Sequence, residues 1–244
     1  MRVALITALV VAGVAGCSSS GDDTTPSPSA SEASPSATAT GAPVGKANGV
    51  EKLGPKQILN QARKAALDAR SVTMTGKSPA ASLELVVTQD ASDGTRSSGD
   101  TTLKTRVVDG VIYVKADEAY WTQAFTKKKA KKIGNKWVAG DLTNPKLKSF
   151  RQTSTMKPLM NQFLVLSGTG EVGEVGVAAG QPAVPITSDA GTTWVATTGK
   201  PYVLQITSAP ETGEDATVDF TEWDKKVVIK APPKKQTISL ADLA

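Results

Sequence analysis

The sequence has no histidine and only one cysteine among its 244 residues, and aromatic residues make up just 5% of it. Without histidine, the chain lacks the side chain that most often acts as a general base and a metal ligand near neutral pH. One cysteine cannot form an intramolecular disulfide, so the folded part must be stabilised by a hydrophobic core. Hydrophobic residues make up 39% of the chain, which is sufficient for one domain and a polar tail.

The first seventeen residues have the pattern of an export signal that ends at the cysteine. Arg2 gives a short positive start, and residues 3–14 form an apolar run that is too short to span a bilayer. The sequence Val14-Ala15-Gly16-Cys17 then resembles the lipobox of bacterial lipoproteins. The resemblance implies that the Cys17 thiol receives a diacylglyceryl group and that cleavage leaves Cys17 as the first mature residue. The alternative is an ordinary secretory signal with an incidental cysteine.

Composition divides the rest of the chain into a tether and a domain. Up to residue 50 the chain is rich in Ser, Thr, Ala and Pro, and such a segment buries too little apolar surface to fold. We therefore expect a signal peptide at 1–16, a lipidated cysteine with a disordered tether at 17–50, and a folded domain at 51–244. The net charge of +5 favours an anionic membrane or cell-wall surface over nucleic acid as a partner of such an exported chain.

Three segments have the periodicity of amphipathic helices. The first begins at Pro55 and ends at Ser71, and the second covers residues 117–132 and carries Trp121 and Phe125 on its apolar face. The third covers residues 155–166. Its apolar positions follow the spacing i, i+3, i+4, i+7 and i+8, which makes one continuous stripe: Met156, Leu159, Met160, Phe163 and Leu164.

Alternating short strands fill most of the remaining sequence. The clearest hairpin covers residues 104–114, where Asp109-Gly110 suits a type I′ turn. Residues 218–220 and 227–229 are predicted to be strands on either side of a turn after Trp223. Sequential strands joined by short turns predict an α+β fold, with an antiparallel sheet and a few helices packed on one side.

Several short motifs, in this order, resemble the LppX/LprG group of actinobacterial lipoproteins, which is related in fold to the lipoprotein carrier LolA. The resemblance covers residues 53–240, and it depends on residues 108–114, Trp121, 136–138, 180–184, 194–195, 220–223, 227–229 and 231–233. It implies a strongly curved antiparallel β-sheet, a LolA-like half-barrel, with a few helices packed on its concave side. In the better-known members an apolar cavity beneath these helices holds lipids or glycolipids.

The resemblance therefore implies a monomeric lipoprotein on the extracytoplasmic face of the cell membrane, with a lipid or glycolipid as ligand and a candidate role as lipid carrier. The predicted cavity-lining residues are Trp121, Phe125, Met156, Leu159, Met160, Phe163 and Leu164. Periodicity alone does not distinguish a stripe that lines a cavity from one that packs against the sheet. The alternative is a non-catalytic interaction or structural lipoprotein of the cell envelope, with the same fold and a filled core.

Two other patterns are candidate sites. The run of Lys127, Lys128, Lys129, Lys131 and Lys132 is either a solvated helix end or a contact surface for an anionic membrane. The pair Ser154 and Lys157 matches the Ser-x-x-Lys motif of penicillin-interacting enzymes, but the Lys-Thr-Gly motif of those enzymes is absent. We therefore predict no catalytic residue, no metal and no cofactor.

Substitution of the single cysteine tests the predicted anchor. We expect the Cys17→Ser protein to leave the membrane fraction, because two acyl chains are needed for stable anchoring and the chain offers no other acceptor thiol. Fractionation followed by immunoblotting measures the distribution. Recovery of a mature Cys17→Ser protein in the membrane fraction at the wild-type level would contradict the prediction.

Overall fold

The structure is a computed structural model and describes residues 45–209 and 216–243. Cys17, the predicted signal peptide and most of the predicted tether lie outside these residues. The described residues form four α-helices, which are α1 (Pro55–Leu67), α2 (Glu118–Ala124), α3 (Lys127–Ile133) and α4 (Met156–Phe163). They also form thirteen strands: β1 (Ser71–Lys77), β2 (Ser82–Thr88), β3 (Ser92–Ser98), β4 (Thr101–Val108), β5 (Val111–Lys115), β6 (Trp137–Asp141), β7 (Glu171–Val172), β8 (Gly176–Ala178), β9 (Gln181–Ser188), β10 (Gly191–Ala196), β11 (Val203–Ser208), β12 (Thr217–Thr221) and β13 (Thr237–Ser239).

All thirteen strands belong to one open sheet, in the order β13-β6-β5-β4-β3-β2-β1-β12-β11-β10-β9-β7, with β8 paired to β9. Every pairing is antiparallel except that of β13 with β6. The sheet and its helices confirm the fold class predicted from the sequence. The predicted hairpin is β4–β5, and Asp109 and Gly110 have φ angles of 52° and 75°, as a type I′ turn requires.

The helices pack on a single face of the sheet, which we call the inner face. Directly paired residues point to the same side of a sheet, so the register carries this face from strand to strand. Leu85 of β2 is paired with Met74 of β1 and with Gly94 of β3. Gly94 is in turn paired with Thr105 of β4. Because side chains alternate along each strand, the buried residues beneath α1 and α4 and those beneath α2 and α3 all lie on this face.

The second predicted helix, at residues 117–132, is divided into two in the structure. Phe125 has an extended backbone and ends α2, and the Thr126 side chain accepts a hydrogen bond from the Lys129 backbone N–H to begin α3. A threonine cap thus interrupts the predicted helix. The lysine run begins in the first turn of α3, and only Lys131 and Lys132 lie in its last turn, where cations suit the helix dipole.

The predicted strand at residues 227–229 is also absent from the structure. After β12 the chain runs without strand pairing from residue 225 to residue 233 and then enters β13 beside β6. The sheet order places β1 to β5 between β12 and β6, so this crossing segment (residues 225–233) passes over five strands. It lies on the outer face of the sheet, opposite the helices, where Arg106 Nη1 of β4 donates to the Lys230 carbonyl at 2.9 Å.

A cluster of charges fixes the start of the crossing segment. Asp224 Oδ1 accepts hydrogen bonds from the Arg70 backbone N–H at 3.0 Å and from the Arg70 Nε at 3.1 Å. Its Oδ2 lies 3.2 Å from Lys200 Nζ. The Arg70 backbone N–H, with further contributions from the Lys200 and Arg70 side chains, lowers the pKa of Asp224 from 3.8 to about 2.

The described chain begins to pack before residue 51. The Asn48 side chain donates to the Ala196 carbonyl at 3.0 Å, Ala47 is bridged to Thr198, and Val50 is buried in the core. The folded part therefore includes residues 45–50, which the composition of the sequence assigned to the tether.

The Asp224 cluster gives a prediction about acid stability. A carboxylate with a lowered pKa stabilises the fold above the unfolded value near pH 4, and this contribution is lost as the pH falls towards 2. We therefore expect Asp224→Asn to flatten the fall of the melting temperature between about pH 4 and pH 2, measured by circular dichroism.

The matched control is Asp109→Asn, which removes an exposed carboxylate from a turn where asparagine tolerates the same positive φ. This variant should keep the wild-type pH dependence. An unchanged slope in Asp224→Asn would show that the charge cluster does not stabilise the fold.

Candidate functional site

The stripe on α4 is packed into the larger of two apolar clusters on the inner face. Met156, Leu159 and Met160 are fully buried, and Leu164 is 1% exposed. Phe163 is half-buried, and its ring meets the ring of Phe220 edge to face, with centroids 5.8 Å apart. We call this group the first cluster. It includes the buried face of α1 and residues of β1, β2 and β9 to β12.

Trp121 and Phe125 lie apart from the stripe, in a second cluster beneath α2 and α3. Trp121 is buried against residues of β4, β5 and β6, and its ring centroid is 6.0 Å from that of Phe125. The indole N–H of Trp121 is buried and has no acceptor within the described part of the chain. The structure thus separates the seven predicted lining residues into two groups, and their role as ligand contacts remains a prediction.

The strand between the two clusters, β3, has no apolar side chain. Its sequence is Ser-Asp-Gly-Thr-Arg-Ser-Ser, and its inner-face positions include Ser92, Gly94 and Arg96. Neither apolar cluster includes a residue of β3, although β2 contributes to the first cluster and β4 to the second. The two helix-covered halves of the inner face are therefore divided by a strip of polar and small residues.

We call this strip the trough, and define it by Ser92, Gly94 and Arg96 of β3 and Thr105 of β4. Ser92 is 3% exposed, whereas the other three residues are half-buried, so access improves from Ser92 towards Arg96. A Cβ atom at Gly94 would lie 2.6 Å from Leu85 Cδ1 and 2.8 Å from the Glu84 carbonyl oxygen. Only glycine fits at this position, because the Leu85 side chain and the Glu84 backbone occupy the space that a Cβ would take, and the more accessible end of the trough lies towards Arg96.

Arg96 is the one charged side chain among the paired inner-face positions of the described strands. It is paired with Leu83 on one side and with Leu103 on the other. Partial burial lowers the pKa of the Arg96 guanidinium from its ordinary value, because the site disfavours the charged form. Sequence reasoning missed this residue because β3 shows no alternation of apolar and polar residues. The available signal was the short turn at Gly99-Asp100, which pairs Ser98 with Thr101 and hence Arg96 with Leu103.

On the outer face, a groove of about 500 Å³ lies between β2, β3, β4 and the crossing segment. Arg106 Nη2 is 2.5 Å from Asp93 Oδ2, and the Arg106 guanidinium lies 5.6 Å from the centre of the Trp137 ring. The groove is lined by the charged residues Glu84, Asp93, Arg106 and Lys230 and by the apolar residues Val86, Val227, Val228 and Ile229. The four charged side chains make this groove less suited to a fully apolar ligand, because such a ligand would remove them from water without offering a partner.

The five lysines of the run lie on or beside α3. Lys129 is half-buried, and the other four are exposed. Lys132 Nζ donates to the Asp242 carbonyl at 3.0 Å, which leaves the rest of the run facing solvent. The structure therefore places these lysines where a charged surface can reach them, and their contact role remains a prediction.

The Ser154 and Lys157 pair is not assembled as a catalytic site. Ser154 Oγ is buried and donates to the Arg151 carbonyl at 2.7 Å, while Lys157 is exposed on α4. Residues 45–209 and 216–243 contain no group of three acidic, cysteine or histidine side chains placed to hold a metal ion. No helix in these residues has the length and hydropathy needed to cross a bilayer.

Comparison with solved structures finds proteins of the type that the sequence resembles. The chain is similar to LprF from Mycobacterium bovis, with 14% identity and a TM-score of 0.48 over 73% of this chain and 96% of that one. It is similar to the Mycobacterium tuberculosis lipoprotein LppX, with 14% identity and a TM-score of 0.48 over 72% of this chain and 98% of that one. No protein-family model and no curated protein sequence matches the chain.

Replacement of the lysine run tests its proposed contact with anionic surfaces. Each lysine near an anionic bilayer can contribute about 1 kcal/mol. We therefore expect the change of all five to Gln to weaken binding of the Cys17→Ser chain to anionic vesicles by at least about ten-fold at low salt. The remaining binding should depend less on salt, because screened charge is the cause. Vesicle co-sedimentation measures both effects.

A matched control makes the same change of charge elsewhere on the chain. It replaces five exposed lysines on and just after the crossing segment, Lys225, Lys226, Lys230, Lys234 and Lys235. Equal weakening in both variants would show that net charge, and not the α3 surface, determines binding.

Proposed function

We propose that this chain is an extracytoplasmic lipoprotein, held at the cell membrane through acylated Cys17, which binds an apolar ligand between the sheet and its helices. The resemblance of residues 14–17 to a lipobox supports the anchor. The ligand is a lipid or glycolipid, and the protein acts as its carrier. Contact of the lysine run with anionic lipid headgroups would bring the domain close to a membrane.

The proposed position of the ligand is based on the division of the inner face into two apolar clusters. Two helix-covered apolar clusters lie on either side of β3, which places no apolar side chain between them. An acyl chain along the trough would contact Leu83 from one side and Leu103 and Thr105 from the other. This position differs from the α4 stripe, whose methionines are buried in the first cluster.

Full burial of the α4 stripe favours a second candidate function. Met156, Leu159 and Met160 have no exposed surface, as expected of a filled core. A domain filled throughout would act as an interaction or structural module of the cell envelope. The two candidates differ in whether the trough accommodates a ligand.

Native mass spectrometry of the full chain carrying Cys17→Ser separates the two candidates. We expect this variant, isolated from the soluble fraction of its own cells, to carry lipid-sized adducts, which solvent extraction removes and incubation with the extracted lipid restores. A mass equal to the protein alone, before and after incubation with a total lipid extract, would contradict ligand binding and leave the interaction module.

A further inference from the structure

We infer that the ligand is an anionic amphiphile, whose carboxylate or phosphate group pairs with Arg96 while its apolar tail lies in the trough. This inference rests on the proposed function and adds the chemical class of the ligand. It also assigns a binding role to a residue that periodicity did not single out.

The surroundings of Arg96 are those of a cation without a partner. Its cross-strand neighbours are Leu83 and Leu103, and every other paired inner-face position of the described strands is uncharged. The charged strand residues, such as Glu84, Asp93 and Lys104, fall on the outer face by the same register. Within residues 45–209 and 216–243, no ion pair or hydrogen bond is made by the Arg96 guanidinium.

Comparison with Arg106, which lies on β4 three residues after Leu103, the pairing partner of Arg96, shows how unusual this is. Arg106 lies on the outer face and is paired with Asp93 and the Lys230 carbonyl. Arg63 of α1 donates to the Leu164 carbonyl, and Arg151 donates to the Leu142 carbonyl at 2.5 Å. A guanidinium that loses part of its hydration normally gains acceptors in exchange, and the half-buried Arg96 has not done so.

The residues of the trough define which chemical groups a ligand needs in order to pair with Arg96. A guanidinium binds carboxylates and phosphates through two parallel hydrogen bonds, and it does so most strongly where water is partly excluded. Leu83 and Leu103, which flank Arg96 in the sheet, offer apolar surface to a tail beside the charged head, and Leu83 is only half-buried. A fully neutral ligand would leave Arg96 without a partner, and a small anion without a tail would not cover the leucines.

The experiment compares a fluorescent conjugated-polyene fatty acid with its methyl ester, which has the same tail and no charge. Both are titrated at pH 8 into the full chain carrying Cys17→Ser. We expect the protein to bind the acid more tightly than the ester. Arg96→Gln should weaken binding of the acid by at least about ten-fold and leave binding of the ester within about two-fold, since a hydrogen-bonded charge pair is lost only for the acid.

The matched control is Lys104→Gln, which removes a cation from the adjacent strand on the outer face and should change neither affinity. Arg96→Lys keeps the charge without the paired hydrogen bonds, and should give an intermediate affinity for the acid. Inorganic phosphate at millimolar concentration should not displace the fatty acid, because it lacks a tail.

Each failure has a distinct meaning. If the parent chain binds neither probe, the proposed function fails and the inference fails with it. If it binds the ester as tightly as the acid, or if Arg96→Gln weakens both equally, ligand binding stands and the assignment of Arg96 is wrong. Displacement by phosphate alone would show that Arg96 belongs to an anion site without an apolar part.

Discussion

The backbone hydrogen bonds of β3 are the interaction on which the rest of the sheet depends. β3 is paired with β2 from Ser92 to Ser97 and with β4 from Ser92 to Ser98, and it lies between the two apolar halves of the molecule. Its side chains add no apolar contact to either half. The backbone hydrogen bonds of β3 therefore fix the register between Leu85 of β2 and Thr105 of β4. The crossing segment joins the same two halves over the outer face, from β12 to β13.

The separation of the two apolar clusters by β3 affects what the inner face can bind. An apolar residue in place of Arg96 would join the two clusters into one continuous core. Arg96, together with Gly94, where no larger residue fits, instead keeps the halves apart and leaves a partly accessible strip between them. A strip with apolar sides and a half-buried cation that has no partner among the described residues matches an amphiphile better than a fully apolar ligand, because a charge that loses hydration is stabilised by a partner.

Local signals in the sequence predicted much of the fold. Pro55 at the start of α1, the stripe of α4 and the Asp109-Gly110 turn each follow from short-range chemistry, and the structure confirms all three. The division of α2 from α3 was missed because apolar periodicity continues through Phe125, and the Thr126 cap overrides it. The segment at residues 227–229 has the composition of a strand, but the crossing leaves it without a neighbouring strand to pair with.

The positions of the candidate site residues were harder to predict from the sequence than the helices and turns, because they depend on the sheet order and on the strand register. The α4 stripe and Trp121 belong to separate clusters because of the sheet order, which places β1 to β3 between β4 and β12, two strands that are far apart in sequence. The inner-face position of Arg96 depends on register, and a one-residue slip would exchange it with Thr95. Neither property is encoded within a single short segment.

Photo-crosslinking tests the central claim, that the ligand lies in the trough, most directly. A fatty acid with a diazirine on its tail would be bound to the full chain carrying Cys17→Ser, irradiated and mapped by peptide mass spectrometry. The account predicts labels on inner-face residues of β2 and β4, namely Leu83, Leu103 or Thr105. Labels confined to the outer face or to the crossing segment at Val227 and Val228 would contradict it.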